Sequence, residues 1–403
     1  MNVVGADQGV HVEQMRHGNP SIARAGSFRV SGRSRRKKVE PPRNSLAKSR
    51  RALFTVPDET SPMKKCNVGI VGYGWAAEAH IAAINATSNG QVTAICSSRP
   101  LDPAELSAKH QCPLKVFHQL DHLLADRCVD VVDICSYHDL HVRQAIAAAR
   151  AGKHLIIEKP VALNRRDCRA MLAAVKQARV KTCVCFELRW SAQFQATRSL
   201  LELGLLGDVH YGEVESYHGI GPWYREYEWV TPKRACGSSL LAAGCHALDA
   251  LLFCLGSDVE SVFSSATQSR HPIFRKYEYP TTTVTTLKFK SGRVGKVASV
   301  IDCWQPYYFH THLVGSEGSL LDNRFHSNRL HGLNRSAWSQ LSFKPVDSGD
   351  VSDHPYQTQF QAFFDAVARG EDMPHTALAD AARTHEVIFA ADQSAATGRP
   401  VRL

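Results

Sequence analysis

The stretch Cys66-Asn67-Val68-Gly69-Ile70-Val71-Gly72-Tyr73-Gly74-Trp75-Ala76-Ala77 constrains this chain more than any other. A short apolar, β-branched run stops at a glycine turn, and residues 78–86 then read as a helix. That strand–turn–helix setting gives a G-x-G-x-x-G/A pattern its meaning. Gly72 permits the tight turn, and Gly74 lets a pyrophosphate approach the backbone. Ala77 is small enough for helix to lie on strand, and the N–H groups around Trp75 and Ala76 face the anion. The first expectation is therefore a dinucleotide site.

A chain of 403 residues can hold two domains with sizeable cores. Its formal charge of +10 suggests nucleic acid until its distribution is examined. Residues 1–62 carry 12 Lys/Arg against 5 Asp/Glu, whereas the other 341 residues are nearly balanced at 36 against 33. The tail, with Arg33-Ser34-Arg35-Arg36-Lys37-Lys38 at its centre, shows no apolar period and is expected to be disordered. Met63-Lys64-Lys65 reads as a natural start, which would make 1–62 a start-site artefact. A nucleic-acid arm and an organellar transit segment are the alternatives. No apolar stretch follows the arginines, against a secretory signal. Twelve cysteines lie scattered without metal-type spacing, as expected of reduced thiols in a cytoplasmic protein, and no metal is expected. The chain is read as having no run of about 18 apolar residues, so no membrane span is expected.

From Cys66 the alternation is regular. Strands are expected at 92–96, 114–117, 129–135, 154–157 and 182–186, with helices at 103–111, 119–125, 141–151 and 164–179. Repeated βα units with apolar strands predict a parallel, doubly wound sheet over 63–186. The rhythm then changes. Helices at 192–203 and 238–255 accompany strands at 208–218, 259–268, 281–289, 294–301, 311–314 and 319–322. Two helices, 357–369 and 378–396, close the chain. Short turns such as Lys290-Ser291-Gly292 suit antiparallel hairpins, so 187–403 is expected to be an α/β domain with one open, mainly antiparallel sheet.

Further motifs follow in order: Asp133-Ile134-Cys135-Ser136-Tyr137-His138-Asp139-Leu140-His141, Ala151-Gly152-Lys153-His154, Glu158-Lys159-Pro160 and Arg189-Trp190. The set ends with Gly237-Ser238-Ser239-Leu240-Leu241-Ala242-Ala243-Gly244-Cys245-His246-Ala247-Leu248-Asp249. Over about residues 65–400 the chain resembles the glucose–fructose oxidoreductase / inositol dehydrogenase / rhizopine-catabolism family. The resemblance implies an NAD(P)-binding Rossmann domain and hydride exchange with a sugar, sugar derivative or cyclitol. It also implies cofactor contacts by Ser136, Tyr137, His138, His141, Glu158, Lys159 and Arg189, and a cis Pro160. Two departures stand out. Ser136-Tyr137-His138 replaces a Thr-Pro-Asn, and Ala242 stands where many members carry an aspartate four residues before the active-site histidine.

Lys159 follows an apolar strand, at the edge where doubly wound folds bind ligands, and partial burial is expected to lower its pKa. His246 is the candidate proton acceptor, because an imidazole suits proton exchange with a carbinol oxygen. Asp249, one turn on, is read as its orienter or a substrate contact, the alternative being a cap on a neighbouring loop. His218, Trp223, Tyr224, Arg225 and Tyr227 form an aromatic and basic loop suited to stacking on sugar rings and bonding their hydroxyls. Held by its own side chains, the same segment would be a structural Ω-loop. Asp353-His354-Pro355-Tyr356 is a further candidate for this pocket. Ser97 lies twenty residues past Ala77, where an NAD site would carry an acid; with Ser98 and Arg99 it points to NADP, NAD being the alternative. A homo-oligomer through the open sheet is expected. A non-catalytic nucleotide or sugar sensor of the same fold is the competing function.

Overall fold

Strand β1 (Cys66–Val71) ends at Gly72, whose φ of +91° a side chain would strain. A Cβ there would also meet the Cys135 carbonyl at 2.7 Å, so the turn requires glycine. The computed structural model describes residues 65–225, 227–347, 351 and 353–403; the expected tail at 1–62 lies outside them. β2 (Gly90–Cys96), β3 (Lys115–Phe117), β4 (Val131–Ile134), β5 (His154–Ile157) and β6 (Thr182–Val184) complete a parallel sheet ordered β3-β2-β1-β4-β5-β6. The strand order reverses between β1 and β4, and their carboxyl ends open a crevice there. β1, β4 and β5 are almost wholly buried, as their unbroken apolar runs require.

The second sheet contains β7 (Val209–Tyr217), β8 (Val259–Thr267), β9 (Thr282–Phe289), β10 (Val294–Val300) and β11 (Tyr308–Gly315). Short strands β12 (Gly318–Leu321), β13 (Arg324–Ser327), β14 (Ser339–Gln340) and β15 (Val401–Arg402) extend it. Its order is β14-β13-β12-β11-β7-β10-β9-β8-β15, and only β7 and β10 pair in parallel. Buried residues alternate along β9, so one face is covered and the other open. The helices Cys245–Leu255 and Leu378–Thr397 lie on the covered face.

Three sequence expectations need correction. The first helix begins at Trp75, not residue 78, because Gly74 caps it directly. The helix expected over 238–255 opens as a π-helical turn, Leu240–Gly244, before the α-helix Cys245–Leu255. Gly244 lets that turn lie on β10, since a Cβ there would sit 2.4 Å from Ser299 Cβ. The segment Lys233–Leu255 is long and apolar enough to cross a membrane by composition; the sequence reading overlooked it because scattered Gly, Ser and His interrupt the run. Its most apolar window is 94% buried within the fold, which accounts for that apolarity.

The helix Tyr356–Arg369 crosses back to the parallel sheet. Phe360, Phe363 and Phe364 are fully buried beside Val68, Ile70, Ile81 and Ile84. Each buried phenylalanine contributes about 1.5–3 kcal/mol. Gly90 makes the approach possible, since a Cβ there would fall 2.3 Å from the Phe364 ring.

Candidate active site

The helix Trp75–Asn85 starts with no side-chain cap, and a Cβ on Gly74 would meet nothing within 4 Å. Open space therefore faces the positive end of an eleven-residue helix, a fitting seat for a pyrophosphate. Gly72, Gly74, Trp75 and Ala76 line a cleft of about 770 Å³, while Ala77 is buried beneath the helix against β1. Ser97, Ser98 and Arg99 line the same cleft beyond the end of β2. No carboxylate occurs among those three. The Arg99 guanidinium donates to the Tyr73 carbonyl, folding it over the glycine turn. Ser136, Tyr137 and His138 form the wall beyond β4, with His138 edge-on to Trp229 at 4.8 Å.

The far end of the cleft carries the ionisable groups. Glu158 lines it, but its oxygens are engaged inward. One accepts from the His80 ring at 3.0 Å and from the Tyr356 hydroxyl at 3.0 Å; the other accepts from the Lys159 amide at 3.0 Å. His80 also bonds Asp133 at 2.9 Å, so a buried imidazolium bridges two carboxylates. Burial opposes that charge, yet Cys135 and Asp133 lift the His80 pKa well above its ordinary value. Lys159 follows, with a cis peptide to Pro160. Its expected pKa depression does not occur. Burial would lower the value, but the surrounding Cys245, Glu158 and Glu187 outweigh it and hold the ammonium above its usual range.

His246 enters from the helix Cys245–Leu255 and lines the cleft opposite. Burial, with Lys159 and His354 nearby, drives its pKa well below the ordinary value, so the imidazole is neutral. Its Nδ1 lies 3.4 Å from Glu187, a carboxylate the sequence reading missed. The other Glu187 oxygen lies 3.3 Å from Nδ1 of His354, which lines the cleft as expected of its tetrapeptide. His218, Tyr224 and Arg225 line it too. The His218 ring sits edge-on to Tyr307 at 4.7 Å and Tyr224 at 5.0 Å, and burial pushes its pKa down to about 3. Tyr307, a lining residue, also went unnoticed in the sequence.

Five expected contacts lie away from the cleft. Arg189 and Asp249 bond each other at 2.6 and 2.7 Å in the core, and Arg189 also donates to the His375 carbonyl at 2.6 Å. Two opposite buried charges satisfy one another there, so neither reaches cofactor, substrate or His246. His141 is buried against the Pro160 and Ser136 carbonyls, both at 2.9 Å, and braces the two loops. The Tyr227 hydroxyl is turned inward to the Ile273 carbonyl. Trp223 is 55% exposed, packed on Trp304 with its indole N–H on Gly219. The aromatic loop thus divides between site and scaffold.

Metal-ligand groupings exist at His80–Asp133–Cys135, His80–Glu158–Cys185 and Glu213–His310–His312. In the first two, both His80 nitrogens bond carboxylates and offer no lone pair. In the third, Glu213 already holds Lys296 at 2.6 Å and the Tyr211 hydroxyl at 2.8 Å.

Residues 66–186 match the family described as "Oxidoreductase family, NAD-binding Rossmann fold", and residues 194–321 match the GFO/IDH/MocA C-terminal domain. The chain belongs to the Gfo/Idh/MocA oxidoreductases. Among relatives, the myo-inositol 2-dehydrogenase of Thermotoga maritima is 26% identical, over 63% of this chain and 74% of its own. The 1,5-anhydro-D-fructose reductase of Ensifer adhaerens is 27% identical, over 83% and 98%. A levoglucosan dehydrogenase solved with NADH and L-sorbose shares the Gfo/Idh/MocA fold at a TM-score of 0.73 and 22% identity, over 84% of this chain and 99% of that one.

Proposed function

We propose that this oxidoreductase prefers NADP and moves hydride to or from a carbinol or carbonyl carbon of a sugar, sugar derivative or cyclitol. The observation that carries the reading is one continuous cleft. It runs from the glycine turn, past a β2 end without a carboxylate, to Lys159 and His246. The relatives' names supply the substrate class.

The glycine turn and the start of the helix Trp75–Asn85 would hold the pyrophosphate, and Ser97, Ser98 and Arg99 the adenosine ribose with its 2′-phosphate. The nicotinamide, when bound, supplies the hydride acceptor or donor. Everything else falls to the chain. His246 exchanges the proton with the reacting oxygen, for which a neutral imidazole is the right form. The Lys159 ammonium, charged throughout the working range, bonds the same oxygen and stabilises its developing charge. Tyr224, Tyr307 and His218 orient the ring and shield the reacting carbon from water.

A screen of NADP reduction and NADPH oxidation over hexoses, uronates, deoxysugars and cyclitols tests this. Once a substrate is found, Lys159→Met and His246→Asn should each lower kcat by roughly 10²–10⁴. NADPH affinity should stay near wild type. Near-normal turnover in both variants defeats the assignment of these two residues. Absence of turnover with every candidate shifts the reading to a sensor.

A further inference from the structure

Glu187 is the least explained charged residue near the cleft. It opens the short turn Glu187–Trp190 after β6, and its side chain is 1% exposed. Its oxygens lie 3.4 Å from Nδ1 of His246 and 3.3 Å from Nδ1 of His354. Among the described residues, neither oxygen nor His246 Nδ1 has a partner in hydrogen-bond geometry. A buried carboxylate kept in that state calls for a reason.

The neighbouring acids are committed elsewhere. Asp249 belongs to Arg189 and Thr384. Glu158 belongs to His80 and Tyr356. Ala242, four residues before His246 and lining the cleft, has no carboxylate to give. We propose that Glu187 is the positioning residue of His246, holding Nδ1 and exchanging a proton with it so that Nε2 meets the substrate oxygen in the required state. This rests on the assignment of His246 as the proton-exchanging group.

The proton count gives the device a direction. With Glu187 protonated and the 3.4 Å gap closed into a hydrogen bond, its O–H donates to Nδ1 and the ring carries its own proton on Nε2. That is the donor needed for carbonyl reduction: Nε2–H passes to the oxygen while Nδ1 takes the Glu187 proton. With Glu187 ionised, Nδ1–H points at the carboxylate and Nε2 presents a lone pair. That is the acceptor needed for alcohol oxidation. The two forms differ by one proton, returned through solvent. Burial, reinforced by the charge of Glu158 and opposed by Lys159, raises the Glu187 pKa to about 8, which places the exchange between the forms there. Tyr307, Tyr356 and Cys245 also face this carboxylate, and each stays protonated across that range because burial raises its pKa.

The test is ¹⁵N NMR of the histidine rings in the cofactor-free protein between pH 5 and 10, on wild type and Glu187→Gln. His246 in wild type should change from the Nε2–H to the Nδ1–H tautomer with a midpoint near that of Glu187. In Glu187→Gln the ring should hold one tautomer throughout. Adding Ala242→Asp to Glu187→Gln should restore a pH-dependent tautomer, and the single Ala242→Asp variant serves if the glutamine does not fold, by moving the wild-type midpoint. In turnover, Glu187→Gln should lose on the order of 10² in kcat together with the pH break near 8, while KM changes little. An unchanged tautomer switch in Glu187→Gln overturns the proposal. A switch that behaves as expected in a protein oxidising no sugar upholds the Glu187–His246 coupling and removes only the catalytic reading.

Discussion

Ser97 and Arg99 line the cleft just past the end of β2, where an NAD-selecting acid would stand. A guanidinium on a 2′-phosphate gives a charge-assisted bond of about 1.5–3 kcal/mol. Arg99→Ala should therefore weaken NADP binding roughly 10–100-fold and barely alter NAD, by fluorescence titration. A wild-type preference for NAD would reverse this assignment. The glycine turn and Lys159 could be placed at the cleft because strand ends fix them locally, whereas His246, on a helix, was placed there only by the family motif around it. Glu187 was not. Beside Arg189-Trp190 it reads as the start of a loop, and its partners lie 59 and 167 positions later. Arg189 and Asp249 misled for the opposite reason: a buried ion pair inside the core and a ligand contact look alike in sequence.

At the level of elements, the helix Trp75–Asn85 does two jobs. Its first turn faces the cleft, and one turn inward His80 pins Asp133 in β4 and Glu158 at the end of β5. His80→Leu would leave two buried carboxylates without their cation, a loss of about 3–5 kcal/mol at neutral pH, measurable by denaturant titration. The raised His80 pKa sets the sign of the pH dependence. Its contribution is complete below the ordinary histidine value and fades as pH rises through the folded one. The difference between wild type and His80→Leu should therefore narrow in strongly alkaline solution; a constant difference would show that packing alone is lost. The βα units were readable because each strand is a short apolar run between polar turns. β13, β14 and β15 were not, being two to four residues long and lacking alternation. The π turn Leu240–Gly244 was likewise hidden, since its sequence has the same apolar period as the helix it leads into.

Both sheets and the cleft are built from residues 65 onward, and residues Pro62–Leu403 form one compact unit. A chain begun at Met63 should accordingly melt within about 1 °C of the full chain and bind NADP equally, by scanning fluorimetry and titration; a change of 1 kcal/mol would move a protein of this size by about 2–4 °C. The order of layers was legible because βα repeats give way to hairpins at one place in the chain. Which helix covers which sheet was not, since helices 357–369 and 378–396 are both amphipathic and adjacent in sequence. One lies on the parallel sheet, and the other lies on the antiparallel one.

The phenylalanines of Tyr356–Arg369 cover a surface that the ribosome makes nearly three hundred residues earlier, at Val68 and Ile70. During synthesis at about 5–20 residues per second, the nucleotide-binding sheet waits roughly ten to forty seconds with that flank bare to the cell. A nascent chain stopped at residue 350 should bind a holdase chaperone and be cut readily by added protease, whereas one released at residue 403 should escape both. Equal protease resistance in the two chains would mean that the sheet closes without its last helices.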